Sequence, residues 1–267
     1  MRFRLTLHNP TATPMAYNYN YLLMAWIYGR LQLADESYSR WLHQEGYKDE
    51  QTGKSFKYYT FSPFFYEGGK NNYTAPKGSE LMTIHAKTLY LDLSFFVDEA
   101  AEKFIVGVFR DQKLELFNDR FRAEFTITQI STLESPKFEE TMEYKATSPI
   151  CIMDMSKTRN KELAPIDPKF KELLALNLIS KHEIYTNTKV DTKEVQFELT
   201  SDPKYLKSKL WTIKEKSKAE STILGYQNFS FKLTAPIEIQ KIAYFGGIGR
   251  YCSEGMGFCG VNKLLKI

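Results

Sequence analysis

The segments LMTIHAKTLYL (81–91), SFFVDEAAEKFIVGVF (94–109) and RFRAEFTITQI (120–130) set the fold class of the first half of the chain. The first and the third predict strands, and the middle segment predicts a strongly amphipathic helix. Strand, helix and strand in this order form the closing part of a βαββαβ unit.

The residues upstream supply the opening part of that unit. RFRLTLH (2–8) alternates apolar and polar residues, which predicts a half-buried strand. In YNYNYLLMAWIYGRLQL (17–33) apolar residues recur every four positions, which predicts a helix of roughly four turns. These residues are Leu23, Ile27 and Leu31.

Between these two parts the sequence predicts a short helix and two short strands. Asp35 is a suitable N-cap for the helix ESYSRWLHQEG (36–46), and Gly46 lies where that helix would end. FKYYTFSPFFYEGG (56–69) predicts two strands that meet at Ser62-Pro63. The first half is therefore predicted to be a ferredoxin-like unit, with one face of its sheet free of helices.

The second half repeats this pattern after a polar linker around residues 132–142. The predicted helices are DPKFKELLALNLISKHEIY (167–185) and PIEIQKIAYF (236–245). The predicted strands are KATSPICIMDM (145–155), VQFELT (195–200), YLKSKLWTIK (205–214), TILGYQNFSFKLTA (222–235) and GMGFCGVNKLL (255–265). We therefore expect an α+β protein of two tandem ferredoxin-like (RRM-like) βαββαβ domains with antiparallel sheets, at residues 1–135 and 140–267.

Composition narrows the possible functions without choosing among them. The net charge is +4 over 267 residues, which is modest but compatible with a local basic face that binds a short RNA. The three cysteines are odd in number and form no CxxC pair, so neither a disulfide framework nor a structural zinc site is indicated. The opening MRFRLTL does not resemble a signal peptide, and no apolar run is long enough to span a membrane. A cytoplasmic protein with no membrane partner is expected.

The strongest local signal is GGIGRYCSEGMGFCG (246–260), which places six glycines between a predicted helix and a predicted strand. Glycine tolerates positive φ and lets backbone amides approach a phosphate closely. A tight helix-to-strand turn is the ordinary alternative, although one or two glycines would suffice for it. The segment lacks the Lys-Ser/Thr ending of a P-loop and the strand-then-glycines order of a dinucleotide-binding fingerprint.

This segment is similar to the C-terminal glycine-rich motif of the CRISPR-associated repeat-processing endoribonucleases (Cas six), within the repeat-associated RNA-binding superfamily. The matching residues are Gly247-x-Gly249 and, after five intervening residues, Gly255-Met256-Gly257-Phe258. MRFRL, YNYNYLLMAWIYGRL, RWLHQEGYK, FKYYTFSPF and FNDRFRAEFTITQI resemble the N-terminal half of the same family. Residues 140–235 add little to the likeness.

The resemblance implies tandem ferredoxin-like folds and cleavage of CRISPR repeat RNA (pre-crRNA) into guide crRNAs, with no cofactor. It also allows a CRISPR surveillance complex and a homodimer as further partners. In the glycine-rich segment the predicted RNA-binding residues are Gly247, Gly249, Arg250, Gly255 and Gly257.

RNA cleavage without a metal needs groups that move protons and a cation beside the phosphate. The attacking 2′-hydroxyl loses a proton, the leaving 5′-oxygen gains one, and a cation stabilises the phosphorane. Histidine suits both proton steps. His43 lies in the last turn of a predicted helix, where the helix dipole favours a protonated ring, and a helix-stabilising role is equally compatible with that position. The resemblance places the family's active-site histidine here. His8, His85 and His182 are more typical of surface or packing histidines.

Two further catalytic candidates follow from the resemblance. Tyr28, in the segment IYGRL, matches the family's catalytic tyrosine, which could orient the 2′-hydroxyl or help accept its proton. A buried core tyrosine is the alternative. Lys57 matches the lysine that stabilises the phosphate, although Lys48 and Lys54 are close enough in sequence to compete for that role.

Metal chemistry is not predicted, because no cluster of carboxylates or closely spaced histidines stands out. The leading hypothesis is a metal-independent endoribonuclease that leaves 5′-hydroxyl and 2′,3′-cyclic phosphate ends. One alternative is a non-catalytic RNA-binding subunit of the same superfamily. Another is a small-molecule enzyme that binds a nucleotide with its glycine-rich loop.

Overall fold

The computed structural model describes residues 1–66, 72–156, 161–213, 218 and 220–261. In the first half the helices are α1 (Asn20–Ala34), α2 (Glu36–Gln44) and α3 (Asp98–Arg110). The strands there are β1 (Arg2–His8), β2 (Thr13–Ala16), β3 (Tyr47–Lys48), β4 (Ser55–Phe56), β5 (Tyr59–Phe61), β6 (Phe65–Tyr66), β7 (Tyr73–Thr74), β8 (Leu81–Ile84), β9 (Thr88–Phe95), β10 (Lys113–Phe117) and β11 (Arg122–Thr132).

The main sheet of this half has the strand order β10-β11-β1-β9-β5, with β6 also paired to β9, and its pairings are antiparallel. When the edge strand β10 is set aside, this order is fourth, first, third and second along the chain. That arrangement is the ferredoxin-like sheet predicted from the sequence. Phe3, Leu5 and Leu7 of β1 are buried in the core, as their alternation predicted. The four-residue spacing in α1 is also confirmed, because Leu23, Ile27 and Leu31 are fully buried.

Both ends of α2 form as predicted. The Asp35 carboxylate accepts a hydrogen bond from the Tyr38 amide at 2.9 Å, as an N-cap residue does. Gly46 has φ +63°, and its amide donates to the Trp41 carbonyl at 2.9 Å, which ends the helix in the left-handed conformation that glycine favours. Asp35 is also the one residue between α1 and α2, so the residue that caps α2 determines where α2 begins relative to α1.

The predicted strand at 81–91 is wrong, because the chain breaks it into β8 and β9, which join different sheets. The break is held by residues remote in sequence. The buried side-chain amide of Asn9 donates to the main-chain carbonyls of Ile84 at 3.3 Å and Ala86 at 3.0 Å. The His85 amide donates to Asn72 at 2.7 Å. These partners replace the ladder hydrogen bonds of a continuous strand, so His85 lies between strands and not inside one.

The second half contains the helices α4 (Pro168–Thr186) and α5 (Ile237–Gly246). Its strands are β12 (Thr141–Ala146), β13 (Met153–Asp154), β14 (Lys161–Glu162), β15 (Gln196–Leu199), β16 (Lys207–Ile213), β17 (Ser221–Gln227), β18 (Ser230–Thr234) and β19 (Cys259–Val261). The predicted first strand at 145–155 is displaced toward the N-terminus as β12. The ends of three predicted strands, at 67–69, 214 and 262–265, lie outside the described residues.

The four-stranded sheet of this half has the order β19-β12-β18-β15, which is again fourth, first, third and second. The hairpin β16–β17 is an addition, inserted between the second and third strands. The two halves therefore share one topology, as predicted, although no sequence repeat marks it.

The halves meet along a polar contact that begins at the second residue. The buried Arg2 side chain donates to the Ser94 hydroxyl at 3.0 Å and to the Tyr244 carbonyl at the end of α5. Its guanidinium lies 3.4 Å from the centre of the Tyr244 ring and 4.3 Å from that of Phe258. This contact fixes the end of α5, and with it the start of the glycine-rich segment, against β1 and β9.

Candidate active site

Tyr28 and His43 come from adjacent helices and their rings are in contact. The ring centres lie 4.9 Å apart and the planes meet at 82°, an edge-to-face arrangement. Tyr28 is buried on α1, whereas His43 is exposed near the end of α2. The Ser39 hydroxyl donates to the Tyr28 carbonyl at 3.0 Å and holds the helices together at this level. The imidazole is therefore open to solvent on one side, while the edge-to-face contact with Tyr28 supports its ring.

Burial raises the pKa of Tyr28 to about 12, which keeps its hydroxyl protonated at neutral pH. Contact with Tyr59 acts in the opposite direction, and Glu254 adds a smaller effect that raises the pKa further. A hydroxyl in this state donates a hydrogen bond readily and accepts a proton poorly. The environment thus favours an orienting role for Tyr28 over the role of a base.

Lys57 reaches the same place from the residue that precedes Tyr58 and β5. Its half-buried ammonium donates to the His43 carbonyl at 3.1 Å, at the carboxyl end of α2. Burial lowers the pKa of Lys57 to about 8, against the opposing effect of Glu45. Tyr28 and Lys57, which lie 29 residues apart in sequence, thus both contact His43, Tyr28 at its ring and Lys57 at its main-chain carbonyl.

The competing lysines occupy other surfaces. The ammonium of Lys54 donates to the Ser180 hydroxyl of α4 at 3.1 Å, and Lys48 is exposed on β3. The remaining histidines also lie elsewhere. His8 is exposed at the end of β1, His85 lies 3.0 Å from the Thr74 hydroxyl, and His182 is buried in α4. The geometry therefore favours Lys57 among the three candidate lysines and His43 among the four histidines.

The glycine-rich segment folds into a tight loop between α5 and β19. Gly247, Gly249, Gly255 and Gly257 have φ between +74° and +87°, a range that other residues rarely adopt. Two of the predicted phosphate-binding amides are engaged within the protein. The Gly255 amide donates to the Cys252 carbonyl at 2.9 Å, and the Gly257 amide donates to the Pro149 carbonyl at 2.8 Å. All four glycines are buried, so their conformation is required by the packing of the loop.

The loop lies against the strand that follows Lys57. The Thr60 hydroxyl donates to the Met256 carbonyl at 2.7 Å, and the buried Lys181 ammonium donates to the Gly247 carbonyl at 2.6 Å. Arg250 is exposed, and its amide is bonded to the Cys151 carbonyl at 2.9 Å. Of the five predicted RNA-binding residues, Arg250 presents its side chain to solvent. Contact of the glycines with RNA stays a prediction.

Two further features concern metals and membranes. In the part of the chain that the structure describes, no three histidine, cysteine, aspartate or glutamate side chains are grouped closely enough to hold a metal ion. None of the helices described is long and apolar enough to cross a membrane.

Comparison with known proteins assigns the family. The model of the CRISPR-associated protein Cas6 N-terminal domain matches residues 14–130, and the model of the CRISPR-associated protein Cas6 C-terminal domain matches residues 133–261. The two matches follow each other in order and together span nearly the whole chain. The chain belongs to the Cas6 repeat-processing family.

Relatives of the Cas6 family cover almost the full length. A CRISPR-associated endoribonuclease Cas6 of Methanocaldococcus jannaschii is 29% identical over 262 residues, which are 96% of this chain and 91% of that protein. The CRISPR-associated endoribonuclease Cas6 of Pyrococcus furiosus is 22% identical over 271 aligned positions, which span 100% of this chain and 92% of that protein. A solved structure described as a Cas6-related gene product of Pyrococcus furiosus superimposes with a TM-score of 0.78 at 18% identity, over 98% of each chain. The last comparison confirms the tandem ferredoxin-like fold.

Sequence reasoning missed one residue of this Cas6 site. Gly46 was predicted only as a helix terminus, yet a Cβ atom there would lie 2.8 Å from both Cδ and Nζ of Lys57. It would also lie 2.9 Å from the Phe56 carbonyl oxygen. Because Gly46 has no side chain, the Lys57 side chain can pass over it and reach the end of α2. A glycine at a helix terminus is so common that the sequence alone carried no signal of this second role.

Proposed function

We propose that this protein is a metal-independent endoribonuclease that cleaves CRISPR repeat RNA (pre-crRNA) into guide crRNAs. The observation that supports the proposal is the position of His43, whose ring contacts Tyr28 and whose main-chain carbonyl accepts a hydrogen bond from Lys57 near the carboxyl end of α2. Family membership supports it, since both relatives compared above are named endoribonucleases. A non-catalytic RNA-binding subunit would not require these three groups to meet.

In the proposed reaction the 2′-oxygen next to the scissile phosphate attacks phosphorus. The 2′-hydroxyl proton passes to a base, the bond from phosphorus to the 5′-oxygen breaks, and the leaving oxygen takes up a proton. The products are a 2′,3′-cyclic phosphate and a 5′-hydroxyl. His43 serves as the acid or base, because its imidazole is exposed and can approach either oxygen, and an imidazole can both donate and accept a proton.

Tyr28 and Lys57 have different tasks in this scheme. The protonated hydroxyl of Tyr28 orients the 2′-hydroxyl or a phosphate oxygen by donating a hydrogen bond. The ammonium of Lys57 neutralises the charge that develops on the phosphorane. The hydrogen bond from the Lys57 ammonium to the His43 carbonyl, at 3.1 Å, supports this role because it keeps the cation next to the proposed acid or base.

We further propose that one domain carries out cleavage and the other contributes to RNA binding. Residues 1–135 carry the three catalytic groups, and residues 140–267 carry the glycine-rich loop. Within the loop, Arg250 is the RNA contact with the most direct support, because its side chain is exposed beside a rigid backbone. A surveillance complex and a homodimer are the other proposed partners, and size-exclusion chromatography of the protein with and without crRNA tests the latter.

The deciding experiment incubates the purified protein with repeat RNA from its host in EDTA. Cleavage should proceed, with a 5′-hydroxyl on the downstream product and a 2′,3′-cyclic or 3′-phosphate on the upstream product. A single 2′-deoxy nucleotide just 5′ of the cut should abolish cleavage and leave binding intact. Products with 5′-phosphate ends, or activity that returns only with magnesium, would contradict the mechanism. Tight binding without any cleavage would favour the non-catalytic alternative.

A further inference from the structure

A surface groove extends from Tyr28 and His43 along α1 and α2, and its other lining residues have no role in the mechanism above. Because only Asp35 separates α1 from α2, the two helices turn back on each other and leave a cleft between their outer ridges. Residues one helical turn apart share a ridge. The pocket between the ridges is lined by Tyr28, Gln32, Glu36, Arg40, His43 and Gln44, with Ser39 at its floor.

The polar groups along this groove suit the edge of a nucleobase. Gln32 and Gln44 are exposed, and each amide offers both a donor and an acceptor. The guanidinium of Arg40 can donate two parallel hydrogen bonds to a base. Its present partner is the Glu36 carboxylate at 2.6 Å, and both side chains are 63% exposed, so the pair can open at little cost.

A phosphate fits the groove less well than a base does. Glu36 would repel a phosphate, whereas its carboxylate can accept a hydrogen bond from an amino or imino group of a base. The cation proposed to hold the scissile phosphate, Lys57, is not among the lining residues and lies on the carbonyl side of His43. Lys57 therefore contacts the main chain of His43, whereas the Tyr28 and His43 side chains that act on the scissile phosphate in the proposed reaction line the groove itself.

The distances along α2 match one nucleotide. Arg40 precedes His43 by three residues and Glu36 precedes it by seven, which is about 4.5 Å and about 10 Å along a helix axis. A nucleotide whose phosphate lies at His43 and Lys57 can thus extend its base past the His43 ring toward Arg40.

We propose that this groove is a subsite for one unpaired nucleobase next to the scissile phosphate, with Gln32 and Arg40 as specificity-determining residues. The proposal rests on the proposed function and adds to it a way of selecting the position of the cut. Unpaired bases are the part of RNA that proteins read through hydrogen-bonding edges.

The test is a double-mutant cycle between the protein and its RNA. Arg40→Ala is combined with repeat RNAs that carry an abasic nucleotide immediately 5′ or 3′ of the cut. Arg40→Ala should lower the single-turnover kcat/KM on intact RNA by about 5- to 150-fold, the range for one lost bidentate contact to a base. On the RNA that is abasic at the occupied position, the same substitution should cause almost no further loss.

Three controls make the cycle decisive. Arg122→Ala removes an equally exposed arginine, which pairs with Glu115 on the β10–β11 edge of the sheet, and should leave cleavage unchanged. Thermal unfolding of each variant should match the wild type. Arg40→Lys keeps the charge but loses the planar fork, so it should not restore activity if a base is bound. Restoration by lysine would show that the groove holds a phosphate and would overturn the proposal.

Other outcomes also separate the two proposals. Wild-type kcat/KM for Arg40→Ala, or independent losses with both abasic RNAs, would overturn the base subsite and leave the proposed nuclease intact. If the wild type fails to cleave any repeat RNA, the proposed function fails. The same cycle is then measured on binding affinity with a 2′-deoxy repeat RNA, where coupling between Arg40 and one abasic position would still support the subsite.

Discussion

The role of Gly255 can be tested by giving it the smallest side chain. Its φ is +87°, and a Cβ atom there would lie 2.3 Å from Cε2 of Phe61 and 2.8 Å from Nδ2 of Asn20. Phe61 is fully buried and Asn20 is 3% exposed, so neither neighbour can swing into solvent. Gly255→Ala should therefore strain both the backbone and the packing of the loop on α1 and β5.

The expected loss of stability follows from these two terms. A non-glycine residue in the left-handed conformation costs about 1–2 kcal/mol. Overpacking of a well-packed site costs about 1–3 kcal/mol. Together these lower the free energy of unfolding by about 2–5 kcal/mol, which for a chain of this size lowers Tm by roughly 4–20 °C.

Thermal unfolding followed by circular dichroism measures this effect, with Gly53→Ala as the matched control. Gly53 also has a positive φ, +69°, but a Cβ atom there would meet nothing within 4 Å. The control should lose only the conformational term, about 1–2 kcal/mol. An equal loss in the two variants would refute the packing role of Gly255. RNA binding by the loop can be tested with a second variant, Gly255→Asp, which places a negative charge beside the proposed phosphate contact. A lower RNA affinity of that variant is informative only if thermal unfolding shows that it is still folded.

The remaining predictions concern the catalytic groups and the loop. His43→Ala should lower the single-turnover rate by ~10²–10⁴, the range for one acid-base group, with nearly unchanged RNA affinity; a wild-type rate would make His43 structural. Because the pKa of Lys57 is lowered to about 8, its ammonium loses its proton as the pH rises through 8, so kcat/KM should fall above that pH. Lys57→Arg should abolish this fall in kcat/KM at high pH, whereas Lys54→Arg should leave it unchanged. If the fall persists in Lys57→Arg, it belongs to the titration of another group. Arg250→Ala should weaken RNA binding and flatten its salt dependence by about one unit of slope, and an unaltered slope would exclude a phosphate contact.

Most of the fold could be predicted because local patterns and tertiary structure agree. The apolar stripe of α1 and the alternation of β1 predicted the buried faces correctly. In α2 the capping groups lie within a few residues of the helix they end, so the sequence holds all the information needed to place Asp35 and Gly46. The order of these elements then selects one sheet topology.

The errors arise where a remote residue decides the local structure. The strand predicted at 81–91 is interrupted by hydrogen bonds that Asn9 donates and Asn72 accepts, which no pattern within the segment reveals. The same holds for the site. Sequence offered three lysines for one role, and the choice of Lys57 depends on the β3–β4 hairpin, which turns the chain back so that Lys57 passes over Gly46.

The loop and the candidate catalytic lysine, Lys57, are linked through a chain of buried contacts. Tyr58, which follows Lys57, has a φ of +54°, and its hydroxyl donates to the Lys181 carbonyl at 2.5 Å. The Lys181 ammonium, 2% exposed, donates in turn to the Gly247 carbonyl at 2.6 Å and lies 3.3 Å from the Cys252 sulfur. A buried cation is tolerated only where such partners compensate its lost hydration.

These contacts have a consequence for catalysis. The segment that carries Lys57 and the loop that carries Arg250 are both bonded to α4, so the protein itself sets their separation. In the proposed reaction, groups held in place in this way do not have to be ordered by the substrate, and more of the binding energy can act on the transition state. The buried glycines serve the same end, because they let the loop pack tightly enough for Lys181 and Thr60 to hold it.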